Sequence, residues 1–171
     1  MMLISEAYRA QLAEKHRKSA TFGNSGADWA AFAHDMCLAN GLRSVLDYGC
    51  GQGTLLLALP EKRHYTVAEY DPAIPGKDGP PEPADLVVCG DVLEHIEPEC
   101  LEEVLDDLRR LSLRMALLVV ATKPALKHLP DGRNTHLIVE PVWWWLPKIA
   151  CRWVIKHFQG SMGGFVVTCK I

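Results

Sequence analysis

The sequence predicts an α/β fold: a mostly parallel sheet covered on both faces by helices. Three observations predict it. Short apolar runs of strand character alternate with segments of helical spacing. One of those runs ends in a glycine-rich turn that opens a helix. The last two runs lie too close together for a helical crossover, so they should pair antiparallel.

The elements follow in order. Ala7, Tyr8, Leu12 and Ala13 recur at helical spacing within residues 5–19, beside the basic cluster Lys15, Arg17 and Lys18. Thr21 to Gly26 is rich in turn formers and breaks the chain direction. Ala27 to Asn40 reads as a second helix with Trp29, Phe32, Ala33 and Met36 on one face, stopped at Asn40-Gly41. Ser44 to Tyr48 is the first strand, and Thr54 to Leu59 a short helix ended near Pro60. Tyr65 to Glu69 is the second strand. Pro72 to Pro83 carries too much proline and glycine for a regular element. Ala84 to Cys89 is the third strand, Glu97 to Leu111 a charged helix, and Met115 to Ala121 a wholly apolar fourth strand. Lys123 to Asn134 is a loop. Pro141 to Ala150 is a helix holding Trp143, Trp144 and Trp145, which cannot all face one side. Trp153 to Phe158 and Phe165 to Ile171 form the closing pair.

At 171 residues the chain suits one domain, with residues 1–40 as a helical cover and 41–171 as the core. Its 49% hydrophobic and 23% charged residues allow a real apolar core. The net charge of −3 argues against a general nucleic-acid binder, although residues 101–171 are net basic. The six cysteines form no C-x-x-C pair and several lie in apolar runs, as expected of reduced thiols in the cytoplasm rather than of disulfides or zinc ligands. Met1 to His16 is too polar for a signal-peptide core, and no apolar stretch reaches membrane-spanning length.

The chemistry concentrates at three strand ends. Asp47-Tyr48-Gly49-Cys50-Gly51-Gln52-Gly53 combines positive-φ freedom with close backbone approach. In an open α/β sheet such a turn lies where ligands bind. Asp47 would repel a pyrophosphate and attract an ammonium group. The G-x-G-x-G spacing also departs from the dinucleotide fingerprint. A nucleoside with a cationic amino-acid tail fits, and S-adenosylmethionine is one. Glu69 ends the next strand, where an acid can accept from both hydroxyls of a ribose; Tyr70 and Asp71 adjoin it, and Asp71 is able to share that role. Gly90, Asp91 and Val92 follow the third strand and would line the same crevice.

Together, Val45 to Gly53, Glu69 and Ala84 to Ile96 resemble the class I S-adenosylmethionine-dependent methyltransferases, in a compact and phage-like form. The resemblance implies a Rossmann-like three-layer sandwich with an N-terminal helical lid. It implies that Asp47, Tyr48, Gly49, Gly51 and Gly53 hold the methionine end of the cofactor. Glu69, with Tyr70 and Asp71, would hold the ribose; Gly90, Asp91 and Val92 would lie near adenine or the methyl. The family usually places a helix and a further edge strand before its fourth-strand motif. The short Pro72–Pro83 segment leaves no room for both, so a six-stranded sheet lacking that strand is expected, with adenine contacts falling to this loop.

Asp91 and His95 are the polar candidates beside the methyl. No metal is required. Some related RNA and quinone-precursor methyltransferases use an acid-x-x-Glu-His set and a later His for a divalent ion; Asp91, Glu94, His95 and His136 are the matching residues here. The acceptor is left open between a small molecule, a nucleotide and RNA. A non-catalytic protein that binds S-adenosylmethionine is the alternative.

Overall fold

The computed structural model describes residues 2–60 and 62–171. Two helices come first, α1 (Glu6–Lys18) and α2 (Gly26–Asn40). The Ser5 hydroxyl caps α1 by accepting from the Tyr8 amide at 3.2 Å, and Gly41 ends α2 in the left-handed conformation. The remaining elements are β1 (Ser44–Tyr48), α3 (Thr54–Ala58), β2 (Thr66–Tyr70), β3 (Ala84–Gly90), α4 (Leu101–Leu111), β4 (Ser112–Ala121), α5 (Val142–Ala150), β5 (Val154–Gly160) and β6 (Gly164–Lys170).

Six strands form one sheet in the order β2-β1-β3-β4-β6-β5. β2, β1, β3 and β4 run parallel. β6 inserts antiparallel between β4 and β5. β2 is an edge, and residues 71–83 form only turns beyond it, so the sheet lacks the strand that the resemblance would place there. This is a Rossmann-like three-layer architecture.

Strand alternation sends successive residues to opposite faces. Leu46, Val87 and Leu118 pack under α4 and α5 with Leu105, Leu108 and Trp145. Val45, Leu86 and Leu117 pack on the other face with Ala33, Met36 and Leu55 of α2 and α3. Runs buried on both faces explain why β3 and β4 read as continuous apolar sequence.

Two helices differ from expectation. α2 buries Ala30, Ala33, Met36 and Cys37, while Phe32 is exposed. Small residues let this helix lie close to the sheet, and Trp29 turns toward the strand ends instead, where its ring sits beside Gly90. The predicted helix from Glu97 starts four residues late. Two 3₁₀ turns, Leu93–His95 and Pro98–Cys100, precede it. Pro98 suits a first-turn position because it has no amide hydrogen to satisfy. The Glu97 carboxylate accepts from the Ser5 amide at 2.8 Å and from its hydroxyl at 2.7 Å, tying the N-terminal segment to the core.

All six cysteines are free thiols, and among the described residues no helix is long and apolar enough to cross a membrane. Of the tryptophan triplet, Trp145 is fully buried and Trp143 is 73% exposed. Trp145→Ala should therefore cost about 3–5 kcal/mol in chemical denaturation, and Trp143→Ala should stay within about 0.5 kcal/mol of wild type.

Candidate functional site

The carboxyl ends of β1, β2 and β3 come together because the strands are parallel and in register, with Asp47 beside Glu69 on one side and Val88 on the other. The turn after β1 is fixed by its amides. Gly49 and Cys50 both donate to the Tyr70 carbonyl, at 2.7 and 3.0 Å. The Gly51 amide donates to Asp71 Oδ2 at 3.1 Å, and the Gln52 amide to the Gly23 carbonyl at 2.8 Å. Gly49 and Gly51 have φ of +76° and +51°. A Cβ on Gly49 would strike Val92, and one on Gly51 would strike the backbone of Gly23. Both backbone conformation and space therefore demand glycine at these positions.

A cavity of about 570 Å³ opens beside this turn. That size is typical of small-molecule sites. Tyr48, Gly49, Gly51, Tyr70, Asp71, Asp91, Val92 and His95 line it from the sheet side. Tyr8, Leu12, His16 and Phe22 cover it from the N-terminal segment, and residues 123–127, 135 and 136 close the far side. The cover is strapped down. Tyr8 Oη donates to the His95 carbonyl at 2.7 Å, Lys15 Nζ to the His128 carbonyl at 2.6 Å, and Lys127 Nζ to the Thr21 carbonyl at 2.7 Å.

A cleft of about 30 Å³ adjoins the cavity and shares Gly23, Ser25, Gly49 and Asp91 with it. This is close to the volume of one water molecule in the liquid. Asp47 forms part of its wall. Its side chain is buried, and its Oδ2 has no hydrogen-bond partner among the described residues. Burial, then the nearby Glu69 charge, pushes the Asp47 carboxyl up to about 7.

The two acids after Asp47 are placed differently from expectation. Asp71 lines the cavity, its carboxylate buried and accepting from the Gly51 and Ala73 amides. Glu69 does not line it. The Glu69 carboxylate lies over Gly53 and pairs with Lys77 Nζ at 3.1 Å. The physical reason is the strand's end. β2 runs to Tyr70, so the side chain that emerges at the carboxyl edge is that of Asp71. Of the Pro72–Pro83 loop, only Pro72 touches the cavity.

Asp91 has φ of +55°, a conformation that only glycine adopts freely. Its side chain lies with those of Ser25 and Trp29 around the small cleft, and burial raises its pKa. It thus anchors the start of α2 over the strand ends. Glu94, His95 and His136 come together with one ligand-type atom each, all within 4.8 Å of one another. Asp91, the fourth residue of the metal set read from the sequence, is not in this group. Burial lifts Glu94 to about 8; burial, then the neighbouring His136, lowers His95 to about 4. Tyr8, His16 and Phe22 belong to the N-terminal segment expected as a lid, and they line the cavity; the sequence carried no sign of the Thr135 and Lys123 carbonyls that hold His95 and His136. Their contacts are long-range and leave no local pattern. None of the three adjacent tryptophans lines the cavity.

Residues 6–159 match the family described as a methyltransferase domain. The chain belongs to this methyltransferase family. Comparison with curated proteins gives no match. Among solved structures, the methyltransferase is similar to magnesium protoporphyrin IX methyltransferase from Synechocystis PCC 6803 with bound S-adenosylhomocysteine. The TM-score is 0.65 at 16% identity, covering 96% of each chain. It is similar to 1,6-didemethyltoxoflavin-N1-methyltransferase from Burkholderia thailandensis, solved with its acceptor and S-adenosylhomocysteine, at a TM-score of 0.68 and 13% identity, covering 99% of this chain and 91% of that one. A third is the N-methyltransferase NodS from Bradyrhizobium japonicum, with a TM-score of 0.64, 13% identity, and coverage of 95% and 98%. At these identities the likeness concerns the fold.

Asp47 gives the ligand-free methyltransferase a defined pH dependence. Its carboxyl titrates near 3.8 when unfolded and about 7 when folded. Between those values the folded chain holds the extra proton, so this group makes stability fall as pH rises and level off above 7. Asp47→Asn should remove that part of the slope and be more stable than wild type at pH 8, as read by thermal unfolding across pH 4–8. Identical pH profiles for the two proteins would contradict this assignment.

Proposed function

We propose that this protein transfers a methyl group from S-adenosylmethionine to a small-molecule acceptor held in the same cavity. The observation that carries the reading is the unpartnered, buried Asp47 carboxylate at the glycine turn. A buried anion without a donor is costly. The ammonium group of an amino-acid tail, close in size to one water molecule, would supply the missing partner from the adjoining cleft. Gly49 and Gly51 leave the backbone bare for that tail, and the turn is already held by its amide hydrogen bonds.

Asp71 takes the ribose role. Each of its carboxylate oxygens accepts one amide hydrogen, which leaves lone pairs for two hydroxyls. Glu69 instead holds Lys77 against the turn. Asp91 acts as a positioning residue, fixing Ser25 and Trp29 above the strand ends. Bound S-adenosylmethionine supplies a methyl already activated on a sulfonium, so alignment can provide much of the acceleration. The N-terminal cover supplies that alignment and excludes water.

Besides the polar residues of the turn, the cavity is lined by Leu3, Ile4, Leu12, Ile96, Val104 and Leu126. Such a wall suits an apolar or aromatic small molecule. The lysines of the cover, Lys15 and Lys127, bind backbone carbonyls rather than standing as a phosphate track. Enclosure and apolar lining favour a small acceptor over RNA. Two of the structural neighbours, the porphyrin and toxoflavin methyltransferases, act on small ring systems.

The test is transfer of labelled methyl from S-adenosylmethionine into a cell extract separated into small-molecule, nucleic-acid and protein fractions. Label should appear among small molecules. Label in RNA would overturn the acceptor class, and binding without transfer to any fraction would favour the non-catalytic alternative. Asp71→Asn should weaken S-adenosylhomocysteine binding about ten- to a hundredfold in calorimetry, the value of one or two hydrogen bonds to a charged group.

A further inference from the structure

Three side chains that can ligate a cation converge beside the cavity, with one ligand-type atom of each within 4.8 Å of the others. Glu94 is fully buried. Its Oε1 accepts from the Ala121 amide at 3.1 Å, and its Oε2 has no partner among the described residues. His95 Nδ1 lies 2.6 Å from the Thr135 carbonyl, and His136 Nδ1 lies 2.6 Å from the Lys123 carbonyl. A carbonyl only accepts, so each Nδ1 must carry the ring proton. Each neutral imidazole then presents the lone pair of Nε2. Two imidazole lone pairs and a carboxyl group at this spacing call for a positive charge among them, either a proton shared with Glu94 or a metal ion.

We propose that Glu94, His95 and His136 form a binding site for a divalent first-row transition cation. Two imidazoles and one carboxylate suit Zn²⁺, Co²⁺ or Fe²⁺ better than Mg²⁺ or Ca²⁺. Three protein ligands leave further positions open, as in catalytic rather than structural zinc sites. Both rings already have the backbone partner that orients metal-ligating histidines. The scaffold around them is firm. The Ile138 amide donates to the Glu94 carbonyl at 3.0 Å, which brings the segment carrying His136 against the turn after β3. The Asn134 side chain holds this segment too, accepting from the Ala125 and His136 amides at 2.9 Å each. Asp91 stays outside the set, on the side of the small cleft that Ser25 and Trp29 share.

His95 and His136 line the cavity, while Glu94 lies behind them. The open coordination positions therefore face the acceptor space. On the methyl-transfer reading, they would hold an oxygen or nitrogen of the acceptor. That role rests on the proposed function; the cation site itself does not.

The experiment uses chelator-stripped full chain titrated with Co²⁺ by visible absorption and with Zn²⁺ by calorimetry. Wild type should take up one ion per chain, with ligand-field bands for Co²⁺. Glu94→Gln and His136→Ala should each lose tenfold or more in affinity, while S-adenosylhomocysteine binding by His136→Ala stays at the wild-type level and certifies its fold. Absence of stoichiometric uptake by wild type would overturn the proposal. So would wild-type affinity in both variants, which would place the ion elsewhere. Cation uptake without any S-adenosylhomocysteine binding would sustain this site and sink the methyl-transfer reading instead.

Discussion

The amides of Gly49, Cys50, Gly51 and Gln52 all donate to parts of the chain outside their own turn: the Tyr70 carbonyl, the Asp71 carboxylate and the Gly23 carbonyl. Those bonds fix the backbone after β1 without help from a ligand. They also bring the end of β2 and the loop between α1 and α2 to one point. The 570 Å³ cavity exists because these three segments meet there. Asp47 stands just before the turn and gains none of the hydrogen bonds. Its unsatisfied carboxylate is the local conflict in an otherwise consistent structure, and such conflicts mark sites of function.

The cover depends on the same point. Gly51 has room for no side chain because Gly23 rests on it. From there the N-terminal segment spans the cavity and is tied down at Glu97, at the His95 carbonyl and at the His128 carbonyl. Asp91 completes the arrangement by holding Ser25 and Trp29 from a left-handed backbone position. A non-glycine residue in that conformation stores about 1–3 kcal/mol of strain.

The sheet was largely legible because its inner strands β1, β3, β4 and β6 are buried on both faces and read as apolar runs. Ser44–Tyr48 stands where the sequence placed it, and the missing edge strand followed from the length and proline content of 72–83. Local composition carries less about which acid faces the cavity. β2 ends one residue later than its apolar pattern suggests, so Glu69 lies inside the strand and Asp71 just beyond its end. The face of α2 was misread for a related reason. Large aromatics suggest burial, yet small residues permit the closer packing that this helix adopts. His136 and Glu94 are joined by a single backbone hydrogen bond from Ile138, and straps such as Lys15 to the His128 carbonyl end on backbone atoms. Backbone acceptors look alike at every position, so sequence gives no sign of them.

On the proposed function, Asp47 receives the charged tail of a sulfonium nucleoside. Calorimetry on wild type and Asp47→Ala, with S-adenosylmethionine and with 5′-methylthioadenosine, tests it most directly, because the second ligand keeps the nucleoside and lacks the amino-acid tail. Asp47→Ala should weaken S-adenosylmethionine binding tenfold or more and leave methylthioadenosine binding unchanged. Unchanged S-adenosylmethionine affinity, or an equal loss for both ligands, would contradict it.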